Sequence, residues 1–206
     1  MSNRRRRAVR RQQKTAAIWW WCLRIGLAAL LTIGLVETSS NIPPTWLPRK
    51  AGVAIVESKY QAQEVLVLNL YRDFGVDSIL AHRIVRAARE ASAATQTPLT
   101  LLLAVMAVES EFNPAARNKN DLGLMQVNLR YHPQEASELK RADELYKIDT
   151  NIRMGARILR RYIDEEAGKV YPALRRYNGL GKTNHYPERV LMAKYRFDRL
   201  LAHAGG

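Results

Sequence analysis

Leu99-Thr100-Leu101-Leu102-Leu103-Ala104-Val105-Met106-Ala107-Val108-Glu109-Ser110 is the stretch on which the reading of this chain turns. Its leucines and alanines favour helix. Counting back three, four and seven residues from Glu109 reaches Met106, Val105 and Leu102, so helical geometry places the carboxylate on a face of apolar side chains. Asn113 precedes Pro114, and the residue before proline is pushed out of the α region, so the helix should stop about one turn past Glu109. Unpaired carbonyls at that end and apolar neighbours both disfavour an anion, which predicts a raised pKa. A carboxylic acid lifted from ~4.3 toward ~6–7 would serve as a general acid near neutral pH, each unit representing about 1.4 kcal/mol. The plain alternative is a helix-terminal glutamate that curls into solvent.

Working outward, the chain reads ESEFNPAARNKNDLGLMQVNLRYHP from Glu109, then NIRMGARIL, ALRRYNG and YPERVL. In this order and spacing the blocks resemble the lytic transglycosylase (SLT-type) domain, a relative of goose-type lysozyme, over roughly Asp77 to Leu201. The resemblance implies that Glu109 is the sole acid and then base in cleaving the β-1,4 bond between N-acetylmuramic acid and N-acetylglucosamine. No water is consumed and a 1,6-anhydromuramyl end results. The residues lend partial support, because glycosidases with two carboxylates need a second acid about 5–9.5 Å away. Glu111, two residues on, is rotated by about 200° to the opposite side of a helix. Asp121 on the following loop is the nearby carboxylate left open.

Gly123-Leu124-Met125-Gln126 reads as a turn whose glycine lets backbone approach a ligand, followed by an apolar floor and an amide that donates and accepts. A loop that packs Leu124 and Met125 into the core is the competing reading. The resemblance places Gln126 and the main chain around Met125 on acetamido or carbonyl groups of the sugar, with Ser110 and Asn128 assisting. Tyr177-Asn178-Gly179 is an ordinary helix stop. The resemblance adds that Tyr177 hydrogen-bonds the catalytic carboxyl, and it makes Tyr186 a further cleft candidate. Two departures stand out: the stretch between Glu109-Ser110 and Gly123 is short, and Asn118-Lys119-Asn120-Asp121-Leu122 stands where many members carry Ser-x-x-Gly-Ala. Asn118 still offers a hydrogen-bond donor.

The pattern predicts an all-α fold, with α+β character only from a short hairpin around Leu124 to Leu129, and the resemblance implies that this fold is lysozyme-like. Helices are expected over Glu64 to Asp73, Asp77 to Thr95 (with Ile79, Ile84 and Val85), Glu135 to Tyr146, Asn151 to Glu166, Tyr171 to Tyr177 and Pro187 to Leu201. Ile152, Ile158, Leu159, Tyr162 and Ile163 share a face, and Gly155 allows close helix contact. Asp149 and Thr150 offer N-cap chemistry, and Asp164-Glu165-Glu166 reads as a solvated helix end.

The 206 residues, 47% of them apolar, allow one domain plus an appendage. The formal charge of +14 is concentrated at the start, where residues 1 to 24 hold eight cations and no acid. An apolar stretch with three tryptophans follows, so these cations suit a membrane surface and not a nucleic acid. The organisation predicted is a basic cytoplasmic tail over residues 1–15, a membrane anchor or signal segment over 16–36, a linker over 37–58 and the catalytic domain over 59–206. The 21 residues of 16–36 would span about 31 Å. Arg24 interrupts them but lies off-centre and can snorkel to the cytoplasmic face. The run Ile25 to Val36 also suits a cleavable signal peptide, but Thr38-Ser39-Ser40 is a poor cleavage site, which favours an inner-membrane anchor with the domain in the periplasm.

Asn41 to Pro48 is a stiff spacer. Cys22 is the only cysteine, so no intramolecular disulfide forms. His82, His132, His185 and His203 lack metal-ligand spacing, so neither metal nor cofactor is expected. The partners expected are peptidoglycan strands and the membrane. A lysozyme-type hydrolase using Asp121, and a non-catalytic wall-binding module of an envelope-spanning machine, are the two competing functions.

Overall fold

The computed structural model describes residues 51–179 and 185–204, with side chains from residue 60 onward. The expected membrane segment and Cys22 lie outside these residues. Among the described residues no helix is long and apolar enough to cross a membrane.

The elements in order are α1 (Ala51–Phe74), α2 (Ser78–Thr95), α3 (Leu99–Glu109), the hairpin strands β1 (Arg117–Asn118) and β2 (Asp121–Leu122), a 3₁₀ turn (Leu129–Tyr131) and α4 (Pro133–Ser137). A second 3₁₀ turn (Ala142–Tyr146), α5 (Ile148–Glu165), α6 (Val170–Tyr177) and α7 (Tyr186–Ala204) complete them. The predominantly helical fold matches the sequence expectation, and its details correct several parts of it.

Asp77 precedes α2 as its N-cap, accepting from the Ile79 and Leu80 amides at 2.9 and 3.2 Å. Of the apolar residues expected to face inward there, Ile84 and Val85 are buried and Ile79 is exposed. Helix α3 packs against α7 and α2, while α5 joins α2 and α6. Its residues from Thr100 through Met106 are all buried, so α3 is a central helix enclosed on every side and carries no amphipathic stripe. Each large apolar side chain buried there contributes about 1.5–3 kcal/mol. The helix ends at Glu109 itself, one turn earlier than Pro114 suggested.

The hairpin lies earlier than Leu124 to Leu129: Arg117 pairs with Leu122 and Asn118 with Asp121, and an isolated bridge joins Leu122 to Val127. The helix expected over Glu135 to Tyr146 is broken in two. Glu144 explains the break, because its carboxylate accepts from the Lys140 and Arg141 amides at 3.0 and 3.3 Å and caps a new turn. Helix α1 extends back to Ala51, into the stretch read as linker. Helix α5 begins at Ile148 with Lys147 at its N-cap and no side-chain cap, so Asp149 and Thr150 do not cap it. Its expected face is buried through Ile152, Ile158, Leu159 and Ile163.

Candidate active site

Glu109 is the last residue of α3, and the chain reverses sharply behind it. Glu111 and Phe112 take left-handed conformations at φ 51° and 63°, which non-glycine residues adopt only under constraint. The constraint is Phe112, which is 1% exposed and meets Phe74 and Phe197 edge-on with centroids 4.8 and 6.4 Å away. Burying this ring turns the backbone under α3 and leaves Glu111 exposed, away from any shared chemistry with Glu109.

The turn after the hairpin is held from three helices. The Ser110 hydroxyl, just past α3, donates to the Leu124 carbonyl at 2.7 Å. From α5, Asn151 accepts from the Met125 amide at 2.7 Å and donates to the Leu122 and Leu145 carbonyls at 2.7 and 2.8 Å. From α6, the Tyr177 hydroxyl donates to the Met125 carbonyl at 2.8 Å. Gly123, at φ 74°, has no room for a side chain, since a Cβ there would lie 2.3 Å from the Asn151 amide nitrogen. Gly155 does allow a close approach, and what approaches is Met125, whose sulfur would lie 2.6 Å from an added Cβ. Leu124 and Met125 send fully buried side chains into the core, so this turn offers the cleft only backbone and Gln126.

The open face of these elements is a cleft of about 620 Å³. Of the residues singled out from the sequence, Glu109, Asn118, Asp121, Gln126, Asn128, Tyr177 and Asn178 line it. Ser110, Gly123, Leu124, Met125 and Tyr186 lie outside that lining and support it. Both amide protons of Gln126 go to its own loop, to Gly123 O at 2.8 Å and Ala116 O at 3.2 Å. Its carbonyl oxygen is therefore the group it can offer a ligand N–H. Asn128 donates to Asp121 at 2.7 Å and accepts from the Arg130 amide at 3.1 Å, so it positions the second acid of the cleft.

The hydroxyl that donates to Glu109 belongs to Tyr186, at 2.7 Å from Oε1. That role was expected of Tyr177, but a phenol has one proton, and that of Tyr177 goes to Met125. Burial, and next the charge of Glu109, push both phenols well above their ordinary pKa. Tyr186 therefore stays a donor throughout the working pH range.

Lys119, Tyr131, His132 and Arg176, none of them expected in the cleft from the sequence, also line it, and so does Tyr162, which was expected on the core face of its helix. Arg176 stacks 5.1 Å above the Tyr162 ring and pairs with Glu165 and Glu166 at 2.7 and 3.2 Å, so those glutamates are not a purely solvated helix end. Its place next to Tyr177 in the block ALRRYNG was the available signal. His132 accepts from Arg161 at 3.1 Å, and Arg161 in turn pairs with Glu135, which is 1% exposed, at 2.9 Å. Burial, with Arg161 adding to it against the opposing charge of Glu135, lowers the His132 pKa.

A larger hollow of about 690 Å³ beside Ala93–Gln96 contains Arg157, Arg160 and Arg161. Each already faces a carboxylate: Glu138, Asp164 and Glu135 respectively. Among the described residues no group of three His, Cys, Asp or Glu side chains is placed to hold a metal ion. Among the hollows of the described residues, the cleft around Glu109 joins a constrained acid to groups that suit a sugar.

No curated protein and no solved structure matches the chain. Residues 86–191 match the family model of the transglycosylase SLT domain, a span that exceeds half the chain and includes Glu109, the Gly123–Gln126 turn, Tyr177 and Tyr186. The chain belongs to the SLT transglycosylase family, glycan-cleaving enzymes of peptidoglycan.

Proposed function

We propose that the protein is a lytic transglycosylase that cleaves the β-1,4 bond between N-acetylmuramic acid and N-acetylglucosamine without water, with Glu109 as acid and then base. The observation that carries this reading is the placement of Glu109: a carboxyl lining a polar cleft, at the end of a helix buried from Thr100 through Met106, oriented by a buried phenol.

Glu109 protonates the glycosidic oxygen as the bond to the muramyl C1 breaks. The substrate's own acetamido group stabilises the developing positive charge. Glu109, now an anion accepting from Tyr186, takes the proton of the muramyl 6-hydroxyl, whose oxygen closes onto C1. One carboxyl returns to its starting state, and the products are a 1,6-anhydromuramyl end and a free N-acetylglucosamine end. Gln126 offers its carbonyl to an acetamido N–H, while the aromatic wall of Tyr162 and Tyr177 with Arg176 faces the sugar rings.

Asp121 favours a second reading. It shares the cleft and is fixed by Asn128, so on a hydrolytic path it could activate water. Mass spectrometry of digested wall separates the two readings: anhydro ends support the first, and reducing muramic acid ends refute it. Glu109→Gln abolishes cleavage in either case; a variant that digests wall as well as the parent refutes Glu109 as the acid, and a parent that cleaves nothing leaves only the non-catalytic wall-binding role. Residues 16–36 supply the inner-membrane anchor in this proposal and place the domain in the periplasm, where protease accessibility in spheroplasts tests it.

A further inference from the structure

Beside the cleft, and sharing Lys119, Asn120 and Asn128 with its wall, is a second hollow of about 310 Å³. Arg117, Lys119 and Arg130 converge on it over Leu122, Leu129 and the ring of Tyr146. The single acid in its lining, Asp143, is paired with Arg141 at 2.9 Å. Among the described residues, none of the three cations makes an ion pair. The Arg117 Nε donates to the Lys119 carbonyl at 3.2 Å, which steers the guanidinium along the hairpin and leaves its terminal amino groups for a ligand. Like charges gathered without a partner repel in the free protein, and that repulsion is relieved when an anion binds among them.

We propose that this hollow is a carboxylate-binding subsite for the peptide branches of the wall polymer, an inference that rests on the function proposed above. A glycan lying in the cleft brings its substituents to the cleft rim, and the hollow adjoins that rim across the β1–β2 hairpin. Two guanidinium forks match carboxylates in bidentate fashion, and the apolar floor accepts the aliphatic part of a short peptide. The hollow thus distinguishes peptide-bearing strands from stripped ones, while the chemistry at Glu109 is the same for both.

The test compares the full-length parent with Arg117→Gln/Arg130→Gln on purified wall strands bearing peptides and on the same strands stripped by an amidase. Neither arginine lines the cleft. The expected result on peptide-bearing strands is a KM raised by about tenfold with kcat unchanged, given the strength of hydrogen bonds between charged groups. On stripped strands neither constant moves. An Arg117→Lys/Arg130→Lys variant, which keeps the charge without the fork, falls between the two on peptide-bearing strands. Equal losses on both substrates, or no loss on either, overturn the subsite. A Lys pair that loses activity on stripped strands points to damaged folding and overturns it as well. A parent that cleaves neither substrate instead refutes the transglycosylase reading, and the subsite falls with it.

Discussion

Replacing Asn151 by leucine, which keeps the branching and the number of side-chain heavy atoms and removes every polar atom, tests whether the turn beneath the cleft is held in place from α5. Three groups lose their partner: the Met125 amide and the Leu122 and Leu145 carbonyls. Leu122 O still accepts from the Val127 amide at 3.0 Å, so two buried groups are left unsatisfied. At about 1–3 kcal/mol each, the expected loss is about 2–6 kcal/mol, a large part of an ordinary domain's stability. Urea unfolding measures it, and a variant within about 1 kcal/mol of the parent refutes the reasoning. Asn151→Asp sharpens the test. It keeps the acceptor for Met125 and turns an anion toward two carbonyls, so its carboxyl should be protonated more readily in the folded state. The folded state then binds the extra proton, and relative to the parent this variant loses stability as pH rises above the ordinary aspartate pKa of ~3.9, opposite to a salt-bridged aspartate. A variant whose stability relative to the parent rises over that range contradicts the geometry.

Other predictions follow from the same contacts. Tyr186→Phe removes a hydrogen bond worth about 1.5–3 kcal/mol to the charged form of Glu109, so kcat should fall about 10- to 100-fold and the alkaline limb of the pH–rate profile should move upward. A limb that stays put or moves down argues against the contact. Because the folded pKa of His132 lies below its ordinary 6.5, the unfolded chain is protonated first on acidification. Its contribution is therefore complete above about 6.5 and is lost as pH falls through that value toward the folded pKa, at up to ~1.4 kcal/mol per unit. His132→Gln should flatten the dependence of the denaturation midpoint on pH in that range. Glu111→Gly relieves a left-handed residue whose side chain faces solvent, so the melting temperature should hold or rise with activity intact; a marked loss of activity would give Glu111 a part in the reaction.

The features written locally in the chain are the ones the sequence made legible. A run of leucines and alanines before Glu109 marked the central helix, and the order of four short blocks marked the family. What stayed hidden depends on contacts between distant residues. Asn151 reads as one more polar residue near a helix start, and nothing adjacent to it indicates that it grips a turn 26 positions earlier. Tyr177 and Tyr186 both carry a phenol, and only the fold decides which proton reaches Glu109. The break between Ser137 and Ala142 arises because Glu144 turns back to cap Lys140 and Arg141, a choice that helical periodicity does not register.

The turn beneath the cleft is fastened to three helices, whereas the first strand of the hairpin beside it, Arg117–Asn118, is exposed and pairs only with its neighbour Asp121–Leu122 among the described strands. This difference divides the enzyme into a part that tolerates change and a part that does not. On the proposed subsite, substitutions at Lys119, Asn120 or Arg117 retune which decorated strands are accepted while Glu109, Tyr186 and the turn stay in register. A lineage facing a chemically altered wall could adapt at the hairpin alone, without reopening the core that holds Glu109.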